Sequence, residues 1–391
     1  MRMKSIGNCL KYTLLTSVST FLVIFLSCKS GPEIHIWYGQ NQTFGKPALA
    51  QKWINILGHV SASEEDSVFV YYSLNGRPGG QLEGTPGMLN IGPHPSERLP
   101  RRLMFSGDFN IEIDEGELLA GTNEVSLVAR DAAGNSSEKT IVFEYQRGTS
   151  CMLPYTVDWH QVDNALGVLQ IVDGLWIWNQ DGIRTRKIGY DRVFAIGDMA
   201  WTDYEAKVLV TFHGVADTTN YPGSIRDGVG FGLSARWLGH SDDPIPGQQP
   251  KWGWKPSGAS AWYVFRQARG QEKFGNGILQ LDADPQEGDR KIDDTLDIEF
   301  GRSYWFKVRA LTQNVGSRYD FKAWDASQPE PESYMLATNG LEGNLAHGSL
   351  IVVAHYVDVT IGPIVIDPIK DTEYITTVPT LSKMATHKLL K

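Results

Sequence analysis

The sequence predicts an all-β chain built as two successive β-sandwiches, over residues 32–147 and 152–370. Three observations predict it. Short aromatic and β-branched runs recur at about ten-residue spacing between turn signals, with no segment of sustained helical periodicity. The chain carries 40 Gly beside 12 Trp, 15 Tyr and 15 Phe, a composition that suits strands and tight turns. Longer runs, such as residues 204–213, alternate between an apolar face and a mostly polar one, the mark of a strand with one buried face.

In the first half, WINILG at 53–58 and SVFVYYSL at 67–74 read as strands. Asn75-Gly76 supplies a two-residue hairpin turn. Residues 110–113 alternate, as a strand does. The long polar stretch 89–108 reads as an insertion at one end of the sandwich. The closing stretch, GTNEVSLVARDAAGN at 121–135, resembles the last hairpin of bacterial immunoglobulin-like or fibronectin-like modules. That resemblance implies an immunoglobulin-like sandwich acting as a spacer.

Residues 146–150 read as a linker. Beyond them, residues 204–213 place Tyr204, Ala206, Val208, Val210 and Phe212 on one face, with Glu205, Lys207, Leu209, Thr211 and His213 opposite. Residues 304–309 repeat the logic. In GVGFGLSARW at 228–237 the apolar face is Val229, Phe231, Leu233, Ala235 and Trp237. The other face, Gly230, Gly232, Ser234 and Arg236, reads as a floor left clear for a ligand, with a charge at its end. Residues 371–391 read as a weakly structured tail.

The runs YWFKVR at 304–309, KAW at 322–324, PEPE at 329–332 and GSLIVVAHY at 348–356 resemble bacterial laminin G-like, concanavalin A-like jelly-roll domains of exported proteins. YDRVFAIGDMAWTDYE at 190–205 and GVGFGLSARWLGHSDDP at 228–244 extend the likeness. It implies a concanavalin A-like jelly roll over 152–370, with carbohydrate on the concave face or its loop edge. The superfold hosts lectins, hydrolases, lyases and adhesion modules, so function must be argued from a site.

The N-terminus opens with Arg2, Lys4 and Lys11, then a mostly apolar run ending at Ser27-Cys28. A basic start, a short apolar stretch and a small residue form an export signal. With Cys28 after the cut, residues 1–27 resemble a bacterial lipoprotein signal peptide. That implies lipidation at Cys28 and a protein tethered to a membrane outside the cytoplasm, at the outer membrane or cell surface. The alternative is an ordinary signal peptide or uncleaved anchor. The formal charge of −9 argues against nucleic acid or anionic lipid headgroups as partners. Cys9, Cys28 and Cys151 are the three cysteines; once a leader is removed, Cys151 has no partner for an internal disulfide and reads as an incidental thiol.

The candidate site is the stretch 236–266. Arg236, His240, Gln249, Trp252, Trp254, Trp262 and Arg266 combine flat indoles, which suit the apolar faces of pyranose rings, with groups that bond hydroxyls. Glu205 joins them as a neighbouring acid, either pairing with Arg236 or acting with His240 in a catalytic alternative. The competing reading is that Trp252 and Trp254 merely fold the loop onto the sheet. Thr295, Asp297 and Glu299 occupy the positions of the Glu-x-Asp-x-Glu strand of jelly-roll glucanases, but the nucleophile's place is a threonine. Retaining hydrolysis needs both carboxylates, so the match reads as false. No zinc motif occurs and no cofactor is implied. A structural Ca²⁺ held by Asp217, Asp242 and Asp243 is the metal option.

The sequence therefore predicts non-catalytic binding of a polysaccharide or glycoconjugate by a surface-tethered protein. The alternatives are a glycan hydrolase or lyase on the same jelly roll, and an adhesion protein that contacts protein.

Overall fold

The computed structural model describes residues 31–369 apart from 62–66, 80, 83–84, 87, 90, 93–101, 217–227, 245, 267–274 and 285–289. The leader, Cys28 and the tail lie outside the described residues, as does Asp217. The described chain is strands, turns and three short 3₁₀ segments.

The first sandwich sets a three-stranded sheet (Glu33–Ile36, Trp53–Ser61, Asp108–Asp114) against a second sheet. The second runs Asn41–Phe44, Ser136–Tyr145, Gly121–Asp131, Val68–Leu74 and Arg77–Pro78, with Met88–Leu89 pairing off it. Ile54, Ile56, Phe109, Ile111, Ile113, Val125, Leu127, Ile141 and Phe143 fill the space between. Asn75 and Gly76 take φ values of 51° and 78°, as the hairpin turn joining Val68–Leu74 to Arg77–Pro78 requires.

The second sandwich pairs two larger sheets. The back sheet runs Trp176–Asn179, Gly182–Thr185, Val357–Pro368, Tyr204–Val215, Ser303–Thr312, Ser317–Asp325 and Leu336–Gly340, with Tyr155–Val157 pairing onto Val357–Pro368. The front sheet runs Gln170–Asp173, Arg192–Ile196, Ser349–His355, Gly230–Trp237, Ser257–Arg266, Gly275–Ala283 and Lys291–Asp293. Their facing sides bury Tyr204, Val208, Phe212, Phe231, Leu233, Tyr263, Phe306, Phe321 and Val352. The strands at 204–213 and 304–309 keep the predicted alternation.

Burial and register add what periodicity alone does not give. Asn110 and Glu112 are 2% exposed, because the outer face of the three-stranded sheet is itself buried, with Leu57 and Met104 in the core cluster of the second sandwich. The described residues from Gly31 onward cluster as one compact unit. Alternation in the Gly230–Trp237 strand fails after Ala235: Arg236 takes φ 55° at a register shift between Ser234 and Trp237. A bulge adds a residue and reverses which side the next side chain faces. Trp237 thus joins Val172, Val193, Ile351 and Val353 on the outer face of the front sheet. Residues 294–299 form no strand, and Asp297 and Glu299 are exposed rather than aligned above a sugar site.

Candidate functional site

The strand register of the front sheet orders its outer face into rows. One row is Val193, Val353, Gly232, Trp262 and Gln280; the next is Ala195, Ile351, Ser234, Ser260 and Asp282. Toward Arg192–Ile196 the face is apolar and covered by Trp237 and Ala50. Toward Gly275–Ala283 it is polar and opens as a groove of about 920 Å³. Trp254, Trp262, Arg266, Gln280, Asp282 and His355 are among its lining residues.

Trp262 is the centre of this surface. A Cβ on Gly232 would lie 2.6 Å from the indole, so one ring face rests directly on the glycine backbone across the strand pair. The opposite face is left to the groove. The glycine therefore makes room for Trp262 and not for a ligand, which corrects the reading of a bare floor. Trp254 packs its ring against His240 at 4.7 Å and Trp237 at 6.2 Å and lines the same groove.

The charged groups along the groove differ in availability. Arg290 Nε donates to Asp282 at 2.9 Å, and Lys255 Nζ lies 3.3 Å from Asp284. Both carboxylates are thus held as acceptors of cations. Arg266, 54% exposed, has Asp294 at 3.9 Å as its ion partner among the described residues, and is the groove cation held most loosely by its carboxylate.

The first sandwich positions the loop that delivers Trp254. Trp53 Nε1 donates to the His240 carbonyl at 2.7 Å, and the Lys251 backbone N–H donates to Glu112 Oε2 at 2.5 Å. Arg102 ties both sandwiches together: it donates to Asp173 Oδ2 at 2.6 Å and to the Lys251 carbonyl at 2.5 Å, and sits 2.8 Å from Glu112. Arg102, Glu112 and Asp173 have side chains at most 3% exposed. Burial pushes Asp173 up to about 6, while Arg102 and Arg192 pull against it. The stretch read as a decorative insertion thus contributes, through Arg102, a buried ionic clasp.

Several predicted residues lie elsewhere. Arg236 is fully buried, donating to the Thr202 and Leu345 carbonyls, Ser317 Oγ, Thr312 Oγ1 and Asp203 Oδ1. The bulge turns it toward the end of the back sheet, where it is saturated and closes the sandwich. His240 is 2% exposed, and burial, with Arg102 adding to it, holds its imidazole well below the ordinary value. Glu205 lies on the outer side of the opposite sheet, where it binds Lys307 at 2.6 Å and accepts from Tyr334 at 3.1 Å. Gln249 and Trp252 are partly buried in the 238–256 loop and do not line the groove. Trp254, Trp262 and Arg266 come together there. Asp242 is taken by Lys251 at 2.7 Å, and among the described residues no three His, Cys, Asp or Glu side chains gather as metal ligands.

Comparison of the sequence with protein-family models and with curated proteins gives no match. Solved structures overlap with it only loosely. The exoplasmic/lumenal domain of VIP36 in its Ca²⁺/Man3GlcNAc-bound form is 11% identical over 59% of this chain and 92% of that domain, with a TM-score of 0.37. Sheep galectin-11 in complex with glycerol is 6% identical over 46% of this chain and 99% of its own, at 0.23. A structure of carbohydrate-binding modules from the β-sandwich superfamily is 9% identical over 88% of this chain and 98% of its own, at 0.18. At these scores the likeness bears on neither ligand nor mechanism.

The sequence reading missed Gln280, Asp282 and His355. Gln280 and Asp282 are cross-strand partners of Trp262 and Ser260, so knowing the register exposes them. Periodicity within one strand does not.

Proposed function

We propose that this chain is an exported, lipid-tethered glycan-binding protein whose groove on the front sheet holds a run of sugar units. The observation that carries the reading is Trp262: an indole fixed on one side by Gly232 and open to a groove edged by Gln280 and Asp282. Such a rigid flat platform stacks on a pyranose face, and the flanking amide and carboxylate bond its hydroxyls. Trp254 extends the platform. The immunoglobulin-like resemblance of the first sandwich fits a module that both displays the jelly roll and shapes its ligand loop. The tether rests on the leader and Cys28 alone, and loss of lipid labelling on Cys28→Ala tests it.

The recognition reading is tested by screening the chain without its leader against a glycan panel, beside Trp262→Ala and Trp254→Ala. Binding to one glycan class is expected, weakened at least about tenfold by Trp262→Ala, a loss of roughly 1.4 kcal/mol. Binding unaffected by either change, or none across the panel, contradicts it and favours the protein-contact alternative.

A further inference from the structure

At the edge of the groove, the Ser349–His355 strand ends in an oriented imidazole. His355 Nδ1 donates to Asp191 Oδ1 at 2.7 Å, with the side chains 12% and 6% exposed. The rings of Tyr190 and Tyr356 pack edge-on against it at 5.0 and 4.6 Å. Asp191 and Tyr356 both adopt left-handed backbone, φ 40° and 55°, a conformation that costs energy for non-glycine residues and gathers where geometry serves a function. The carboxylate fixes the proton on Nδ1 and leaves the Nε2 lone pair as a base.

The surroundings select among reactions. His355 pairs across the sheet with Gly230, and Gly230 with Val264. Arg266 lies one step further along the same face. Gly228, at φ 96°, has His355 Nε2 3.8 Å from where a Cβ would stand, so Gly228 itself puts no side chain there. Strand spacing puts the His355 and Arg266 backbones about 12 Å apart, a gap one sugar unit fills between the two side chains. The carboxylates Asp282 and Asp284 are engaged by cations, an arrangement that does not suit the acid–nucleophile pair of a glycosidase. A histidine base with an exposed arginine two strands away on the same groove suits abstraction of a proton α to a carboxylate.

We propose that the groove cleaves a uronate-containing polysaccharide by β-elimination, an activity that rests on the glycan-binding reading and goes beyond it. His355 Nε2 takes the C5 proton of a uronate. The C–H electron pair becomes the C4–C5 double bond as the C4–O bond breaks, and the imidazolium returns its proton to the departing oxygen. Arg266 neutralises the carboxylate as charge builds on it. Nothing is oxidised or reduced, and no co-reactant is consumed. Asp191 is a positioning residue acting through His355.

The test offers the chain without its leader polygalacturonate, alginate, hyaluronan and neutral glucans, reading the ultraviolet absorbance of unsaturated ends alongside direct binding. Product from one uronate polymer is expected. His355→Gln should lower turnover by about 100-fold or more while binding of that polymer stays within about threefold, which also reports that the variant is folded. Asp191→Asn, which keeps the left-handed backbone accessible, should lower kcat and leave KM unchanged. Binding of any glycan without product overturns elimination and leaves recognition standing. No binding at all overturns both. Product formed equally by His355→Gln removes the assignment of the base.

Discussion

Replacing Arg102 by Met tests the clasp between the two sandwiches most severely. The wild-type guanidinium satisfies Asp173 at 2.6 Å, Glu112 at 2.8 Å and the Lys251 carbonyl at 2.5 Å. Without it, Asp173 retains only Arg192 at 3.5 Å among these cations. Glu112 retains Asn55 at 3.2 Å and the Lys251 N–H. Two buried carboxylates then share one distant cation. Removing one partner of a buried ion pair costs about 3–5 kcal/mol, because the remaining charge stays desolvated. Against a typical domain stability of about 5–15 kcal/mol, that is a large fraction. Urea unfolding of Arg102→Met should therefore show a much lower midpoint. Adding Glu112→Gln and Asp173→Asn should recover part of the loss by removing the stranded charge. Glycan binding at a temperature where the variant stays folded should weaken too, since Lys251 anchors the loop that carries Trp254. A midpoint shift worth less than about 1 kcal/mol, the range of an exposed pair, with binding intact, would refute the clasp.

Arg236→Met should destabilise the chain by about 3 kcal/mol, through the acceptors it strands, yet leave glycan affinity unchanged in the folded protein; binding measured beside calorimetry separates the two. His240 predicts a pH dependence with a definite sign. Its folded pKa lies well below 6.5, so below that pH the unfolded chain takes up a proton that the folded chain refuses, and stability falls. Urea midpoints should fall as pH drops below 6.5, and those of His240→Phe should lack that component. Gly232→Ala pushes a methyl into the Trp262 ring; a cost of about 1–3 kcal/mol and loss of glycan binding together are expected in unfolding and binding assays. Burial raises the Cys151 thiol to about 11, so iodoacetamide should label it at neutral pH only after unfolding, as mass spectrometry would show.

The architecture was legible where one strand carries its own message. Residues 204–213 show buried and open faces by alternation alone, and Asn75-Gly76 names its turn. What the sequence hid depends on contacts between distant segments. Asn110 and Glu112 are polar yet buried, because Asn110 donates to the Val172 carbonyl across the sandwich boundary and Glu112 meets Arg102. Arg236 looks like a charge at a ligand floor, but a single left-handed residue turns it inward and Trp237 outward. Gly232 looks like space for a ligand, and a register pairing with Trp262 fills it. The indoles Trp254 and Trp262 were recognisable by residue type. Asp191 and His355 are 164 positions apart, and only the folded sheet brings them together.

The central claim is that a glycan lies on the outer face of the front sheet against Trp262. The most direct measurement is a crystal structure of the chain without its leader, with an oligosaccharide from the class it binds. The account predicts a pyranose stacked on the Trp262 ring, within reach of Gln280 and Asp282. A sugar seated instead over Glu205 and Lys307 on the back sheet, or at the loop ends away from Trp262, would contradict it.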